Sequence, residues 1–187
     1  MSYASAEHDR MIAAMLLPCY VVAVDLAASP PACRVSTGDW TSAWVRWHSV
    51  AAGKARHWRA PSIGEQGVLL SPSGQAGMGT FVPGLYGDAG PPPDNRDHVE
   101  VWRFDDGGSL VYDWHAKSYN ITLPAGTVTI ALGGTSAVLT DGAVTVTAGA
   151  IDLIGPVKID GTLTVTQDIT GLGMIIDTAG NTPNHKH

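Results

Sequence analysis

Two histidines among the last three residues, His185 and His187, are the side chains of this sequence with the clearest potential for chemistry. In an extended strand, residues i and i+2 point to the same side, so both imidazoles of one chain can face a common point. Two ligands are too few for a stable metal site. If the chain is a trimer, a threefold axis brings three such pairs together, and six imidazole nitrogens in two layers describe an octahedron.

The donor set of this predicted apex restricts the choice of metal. Imidazole suits iron, nickel, copper and zinc, but octahedral coordination disfavours zinc, which prefers four ligands. Iron(II) is the abundant metal that fits, with one ion per trimer and six histidine ligands. The alternative is a frayed tail or a remnant of a purification tag. That alternative is weakened because there are only two histidines, and they follow an ordered-looking repeat directly.

The elements that would position this pair of histidines form a repeat. The segment "DGAVTVT" at 141–147 recurs as "DGTLTVT" at 160–166, and a looser copy, "AGTVTI", lies at 125–130. Alternating threonine and valine with a glycine-containing turn is typical of stacked strands in a solenoid. Every aromatic residue lies at or before Tyr119, so a single chain has little bulk here to fill a core. The pattern predicts an intertwined trimeric β-helix; the alternative is a single-chain sandwich extension.

The front half of the chain differs from the repeat in containing all the aromatic residues. The fold class predicted for the whole chain is all-β. A short amphipathic helix is expected to stop before Pro18. Short β-rich runs broken by glycine, proline and serine then indicate a small OB-like barrel, and a later pair of runs indicates a hairpin turning at 106–108. The predicted segments are an N-terminal helix at 1–18, an OB-fold barrel at 19–93, a connecting hairpin at 94–119, a triple-stranded β-helix shaft at 120–177 and a metal-binding apex at 178–187.

Charge and cysteine content exclude some classes of function. A net charge of -6 and a pI near 5.5 argue against a surface built throughout to hold nucleic acid or anionic lipid. Cys19 and Cys33 are predicted to be free, buried thiols. The sequence contains no serine nucleophile elbow, no HExxH motif, no phosphate-binding loop and no CxxC motif, so the chain is predicted not to be an enzyme.

The predicted barrel has the strongest competing site, because basic residues alternate with tryptophans there. On an OB fold, such rings stack on bases and such cations track phosphates, which is how single-stranded nucleic acid is held. The same residue types are enriched at protein-docking surfaces, and some of the rings are expected to be core. The residues concerned are Arg34, Arg46, Lys54, Arg56, Arg59, Trp40, Trp44, Trp47 and Trp58.

Taken together, these segments resemble baseplate assembly protein V, the central spike of contractile-tailed phages and of R-type pyocins. The resemblance is carried by "RHWRAPSIGEQGVLLSP" and "GTFVPGLYG" in the barrel, by the threonine and valine repeat, and by the terminal "NHKH". It implies a homotrimer in a virion or tailocin baseplate, synthesised in the bacterial host cytoplasm, with His185 and His187 of each chain binding one iron.

The resemblance also implies a mechanical role. The spike would sit on a baseplate hub protein at the end of the tail tube and be driven through the target outer membrane by sheath contraction, without binding nucleic acid. The alternatives are a single-stranded nucleic-acid-binding protein and a trimeric receptor-binding tail fibre. A fibre tip would be expected to carry exposed aromatic or polar recognition residues, which this tip lacks.

Overall fold

The computed structural model describes residues 3–173, and its first part contains a small, nearly closed barrel. The sheet order is β2-β1-β4-β5-β3, with β3 running parallel to β5 and the other pairs antiparallel. The backbone N–H groups of Cys33 and Val45 each donate to the other's carbonyl at 2.9 Å, which joins the β3 end of the sheet to β2. The strands are β1 (Leu16–Asp25), β2 (Ala32–Ser36), β3 (Arg46–Trp47), β4 (Gln66–Leu70) and β5 (Thr80–Leu85).

With the bridge between β2 and the β3 end of the sheet, the strands follow the order β1-β2-β3-β5-β4 around a nearly closed barrel, which confirms the predicted OB-like barrel. Its core is formed by the residues of each strand that point inward, among them Val21, Val35, Leu69 and Phe81, all fully buried. A shift of register between Val21 and Ala23 marks a bulge in β1. Such a bulge bends its strand, which helps a short sheet to close on itself.

The two cysteines are free and buried, as predicted. Burial raises the pKa of the Cys33 thiol to about 11 and raises that of Cys19 as well. Both groups are therefore protonated near neutral pH. They pack as small apolar side chains in the barrel core.

The N-terminal helix α1 covers Tyr3–Ala13 and is shorter than the predicted segment at 1–18. Leu16, Leu17 and Pro18 instead begin strand β1, where they pair with β4. Proline is tolerated at this point because β2 pairs with β1 only from Tyr20 onward, so this end of β1 has a partner on one side only. The proline that was expected to end the helix thus lies inside a strand.

A three-stranded antiparallel meander follows the barrel: β6 (Val99–Arg103), β7 (Ser109–Asp113) and β8 (Ser118–Thr122). Its first turn has Gly107 at a φ of +88°, as the predicted hairpin requires. The third strand was not expected, and the boundary predicted at 119/120 falls inside it. Its turn contains no glycine or proline and is held instead by the Asp113 carboxylate, which accepts hydrogen bonds from the backbone N–H groups of His115 and Ala116.

The chain divides into two compact units, the second of which begins at Ala125. This unit contains a three-stranded antiparallel sheet in the order β11-β10-β9. No helix among the described residues is long and apolar enough to cross a membrane. The strands are β9 (Val128–Leu132), β10 (Thr135–Leu139) and β11 (Val144–Thr147).

Candidate trimer interface and metal apex

The sheet formed by β9, β10 and β11 separates apolar from polar side chains. Ile130 is paired with Ala137, and Ala137 is paired on its other side with Val146. Because directly paired residues share a face and neighbours along a strand alternate, the strand register assigns every residue of the sheet to one of two faces. We call the first the apolar shaft face; it comprises Val128, Ile130, Leu132, Ala137, Leu139, Val144 and Val146, together with Thr135. The opposite face comprises Thr129, Ala131, Ser136, Val138, Thr145 and Thr147.

The apolar shaft face is open to water in the single chain. Ile130 is 68 % exposed, Leu132 83 % and Val144 70 %. No residue from 125 to 173 is buried, so the described part of the second unit has no core of its own. A small sheet without a buried face is not stable in water, and an apolar face of this extent marks a contact with another chain.

The second copy of the repeat behaves differently from the first in the single chain. The first, at 141–147, contributes strand β11, whereas the second, at 160–166, forms no strand. Apolar side chains such as Ile151, Leu153 and Ile154 are exposed along the same stretch. In an intertwined shaft the ladder hydrogen bonds run between chains, so a strand of this kind forms only when its neighbours are present.

The predicted metal ligands His185 and His187 lie outside the described residues. Among residues 3–173, no group of three or more histidine, cysteine, aspartate or glutamate side chains is arranged to hold a metal ion. The iron site therefore stays a prediction that rests on the donor chemistry of the terminal histidines.

The basic and aromatic residues of the barrel divide into several environments. Trp47 packs against the core, as expected for some of these rings. Arg34 lies over the ring of exposed Trp44, with its guanidinium carbon 5.9 Å from the ring centroid, and donates from Nε to the Ser42 carbonyl at 2.8 Å. Trp58 is 64 % exposed, and its ring centroid lies 5.7 Å from that of Trp47.

Arg59, the last of the basic candidates, is paired with Glu65. Its Nη1 donates to one carboxylate oxygen of Glu65 at 2.8 Å, and its Nη2 donates to the other. The Ser62 N–H also donates to this carboxylate, at 2.9 Å. Burial raises the pKa of Glu65, but the hydrogen bonds from Arg59 and the backbone outweigh burial and lower it overall. Arg59 is thus committed to a fork-like ion pair and is not free for a phosphate.

The structure also brings together groups that sequence spacing did not connect. The rings of His98 and His115 lie 5.2 Å apart, edge to face. Beside them, Arg96 bridges Asp94 at 2.7 Å and Asp113 at 3.2 Å. These contacts fasten the segment before β6 to the second turn of the meander. The signal that could have indicated them is an aspartate at the end of a β run, which commonly holds the following turn.

Two sequence families match this chain, one for each half. Residues 17–86 match the Type VI secretion system/phage-baseplate injector OB domain, a range that spans β1 to β5. Residues 100–171 match the family described as Gp138, beta helical trimerization domain. This second range begins within the meander and includes the apolar shaft face.

A curated relative agrees with both matches. The chain is 32 % identical over 117 residues to a protein named "Spike protein" from Escherichia phage P2, over 62 % of this chain and 54 % of the relative. The chain thus spans about half the length of that relative.

Proposed function

We propose that this chain is the central membrane-piercing spike of a contractile tail. It joins a phage-baseplate injector OB domain to a β-helical trimerization domain, and so belongs to the spike protein families of phage baseplates. These families are structural and not enzymatic. In this proposal, sheath contraction drives a trimer of the chain through the outer membrane of the target cell. The particle is a phage virion or a tailocin assembled from protein made in the bacterial host cytoplasm.

The observation that carries this proposal is the second unit, in which no residue from 125 to 173 is buried in the single chain. The apolar shaft face must be covered, and the trimerization domain indicates that other copies of the chain cover it. A shaft whose ladder bonds are shared between chains has no free strand edge. Such a shaft resists bending and can transmit force along its axis.

Trimer formation is tested by light scattering on purified protein. The expected mass is that of three chains of 19.5 kDa each. A monomer mass at micromolar concentration would contradict the shaft and the apex together.

The proposed metal apex depends on the same threefold symmetry of the trimer. His185 and His187 of each chain would supply six imidazole nitrogens around the trimer axis, a donor set that suits octahedral iron. A bound ion would tie together three chain ends that otherwise fray, and it would add stability only to the assembled trimer. Anomalous X-ray scattering across the iron edge, on untagged crystals, tests the identity of the metal; a signal absent at that edge would rule out iron.

The barrel is the proposed docking face for the baseplate hub protein. Residues 17–86 contain five lysines or arginines and three acidic residues, whereas residues 87–187 contain five and twelve. The barrel is therefore the basic part of an otherwise acidic chain. On it, the guanidinium group of Arg34 lies over the ring of Trp44, so that a cation and an aromatic ring lie together. Such a surface suits a hub that carries acidic side chains.

The role as a whole is tested on assembled particles. Gold-labelled antibody against this chain is expected at the distal end of the tail baseplate in electron micrographs. Particles assembled with a chain truncated before 178 are expected to adsorb and contract but to kill or infect less efficiently. Label elsewhere on the particle would contradict the spike, and full activity of the truncated particles would contradict a piercing role for the apex.

A further inference from the structure

The meander also has two faces of unlike character. Trp102 is paired with Leu110, and Leu110 is paired on its other side with Ile121. One row further along, Tyr112 is paired with Tyr119. By the same alternation as in the shaft sheet, these side chains share one face. We call it the aromatic collar face; it comprises Glu100, Trp102, Leu110, Tyr112, Tyr119 and Ile121.

The aromatic collar face is the open side of the meander. Trp102 is 50 % exposed, Tyr119 61 % and Ile121 51 %. On the opposite face, Ser109 and Asp113 are buried, the valines are partly buried, and the exposed residues are all polar. The chain thus covers one side of this sheet and leaves the side with large apolar rings uncovered. An arrangement of this kind marks a contact surface.

The shape of the face favours a macromolecule over a small ligand. The hollow bounded by Glu100, Trp102, Leu110, Tyr112 and Tyr119 has a volume of about 150 Å³ and is open to solvent. Pockets that enclose small molecules typically have a volume of roughly 300–1,000 Å³. The rings of Tyr112 and Tyr119 are spread side by side, with their centroids 6.2 Å apart. A broad, shallow aromatic surface of this kind is typical of an interface between proteins.

We infer that the aromatic collar face is an inter-protomer contact, covered by a second copy of this chain. The argument is continuity with the trimerization domain, whose matched range begins at Glu100 and so includes all six collar residues. Covering this face with a neighbouring chain extends the trimer interface upstream of the apolar shaft face. The meander is then part of the trimeric body, whereas the sequence indicated only a connecting hairpin. This inference rests on the proposed trimeric spike and names a further part of its interface.

The test places a photo-crosslinking amino acid, p-benzoylphenylalanine, at Tyr119 of the full-length chain. Irradiation of the purified trimer is expected to give covalent dimers and trimers on a denaturing gel. Tyr86 is the matched control, because it is a tyrosine of similar exposure, 65 %, beside the barrel. Substitution at Tyr86 is expected to give monomer bands.

A second variant measures the energetic weight of the face. Tyr112→Ala combined with Tyr119→Ala is expected to raise the protein concentration at which half of the trimer dissociates by about tenfold or more, because aromatic anchors dominate binding at protein interfaces. A wild-type chain that is monomeric would contradict the proposed spike itself. If the wild type is a trimer but the chain with p-benzoylphenylalanine at position 119 gives no chain-to-chain crosslink, this inference alone is overturned. A trimer dissociation that is unchanged in the double variant would overturn it as well.

Discussion

At the scale of single residues, the proposed metal apex depends on the two terminal histidines. We predict that His185→Ala combined with His187→Ala abolishes bound metal and leaves the trimer assembled. Removing both imidazoles from every chain removes the whole donor set, whereas the shaft is held by many contacts between strands. Elemental analysis should fall from about one iron per trimer to none, in line with the one-ion octahedral site.

Two controls accompany this double variant. His48→Ala changes a barrel histidine whose Nε2 lies 2.9 Å from the Thr80 hydroxyl, and it should leave the metal content unchanged. Circular dichroism and protease resistance should match the wild type in both proteins. Metal retained by the double variant, or absent from wild-type protein expressed with ample iron, would contradict the apex.

The pair of Arg59 and Glu65 is a residue-scale feature of the barrel. Replacing Glu65 by glutamine should lower the free energy of unfolding by about 1–2 kcal/mol at neutral pH, because hydrogen bonds to a charged group are lost. The pKa of Glu65 is lowered in the folded barrel, so its contribution is present above the unfolded pKa of 4.5 and is lost as the pH falls through the folded pKa. The difference between wild type and variant should therefore shrink in acid.

Denaturant unfolding followed by tryptophan fluorescence measures this difference at a series of pH values. Glu7→Gln is the matched control, because Glu7 also pairs with an arginine, Arg10, but on the exposed surface of α1. Ion pairs on an exposed surface contribute little to the free energy of unfolding. An equal effect of the two substitutions, or a difference that grows in acid, would contradict the structural role of Glu65.

At the scale of elements, neighbouring residues of strand β9 lie on opposite faces of the shaft sheet. The same substitution at two neighbouring positions therefore compares the two faces. Ile130→Asp introduces a charge on the apolar shaft face and should prevent or strongly weaken trimer formation, because a buried unpaired carboxylate is costly. Thr129→Asp places the same group on the opposite face and should leave the trimer intact. Size-exclusion chromatography with light scattering compares them, and equal behaviour would mean that the faces are assigned wrongly.

Strand β4 contains a position where only glycine fits. A Cβ atom on Gly67 would collide with the Val82 carbonyl oxygen and lie 2.6 Å from Cε2 of Phe81, on the neighbouring strand β5. We predict that Gly67→Ala destabilises the barrel by about 1–3 kcal/mol, the usual cost of overpacking. Gly77→Ala is the control, because nothing lies within 4 Å of a Cβ there. Thermal unfolding of both variants checks this, and equal stability would contradict the close packing of β4 on β5.

At the scale of the whole molecule, charge separates the proposed spike from a nucleic-acid-binding protein. We predict that the protein does not bind single-stranded oligonucleotides usefully at physiological salt. The acidic remainder of the chain repels phosphates, Arg59 is committed to Glu65, and Trp47 is packed against the core. Fluorescence anisotropy with labelled oligonucleotides measures this, and tight binding that weakens steeply with salt would favour the nucleic-acid-binding alternative.

Local patterns in the sequence determined much of this molecule. Alternating apolar residues and turn residues are short-range signals, and they indicated the barrel, the hairpin turn at Gly107 and strands β9 and β11 of the shaft repeat. The copy of the repeat at 160–166 forms no strand in the single chain. The free thiols of Cys19 and Cys33 also followed from composition. The terminal His-X-His stays a sequence prediction, because it lies outside the described residues.

Tertiary structure decided what depends on pairing between distant residues. Leu16–Pro18 form strand rather than helix because β4, some fifty residues later, lies beside them. Arg59 and Glu65 are only six residues apart, but no sequence pattern indicated the shape of the turn that brings them into an ion pair. The aromatic collar face exists only because the register of three strands aligns Trp102, Tyr112 and Tyr119 on one side. Register between strands is set by the packing of the whole sheet, so the sequence could name these residues but could not assign them to a common surface.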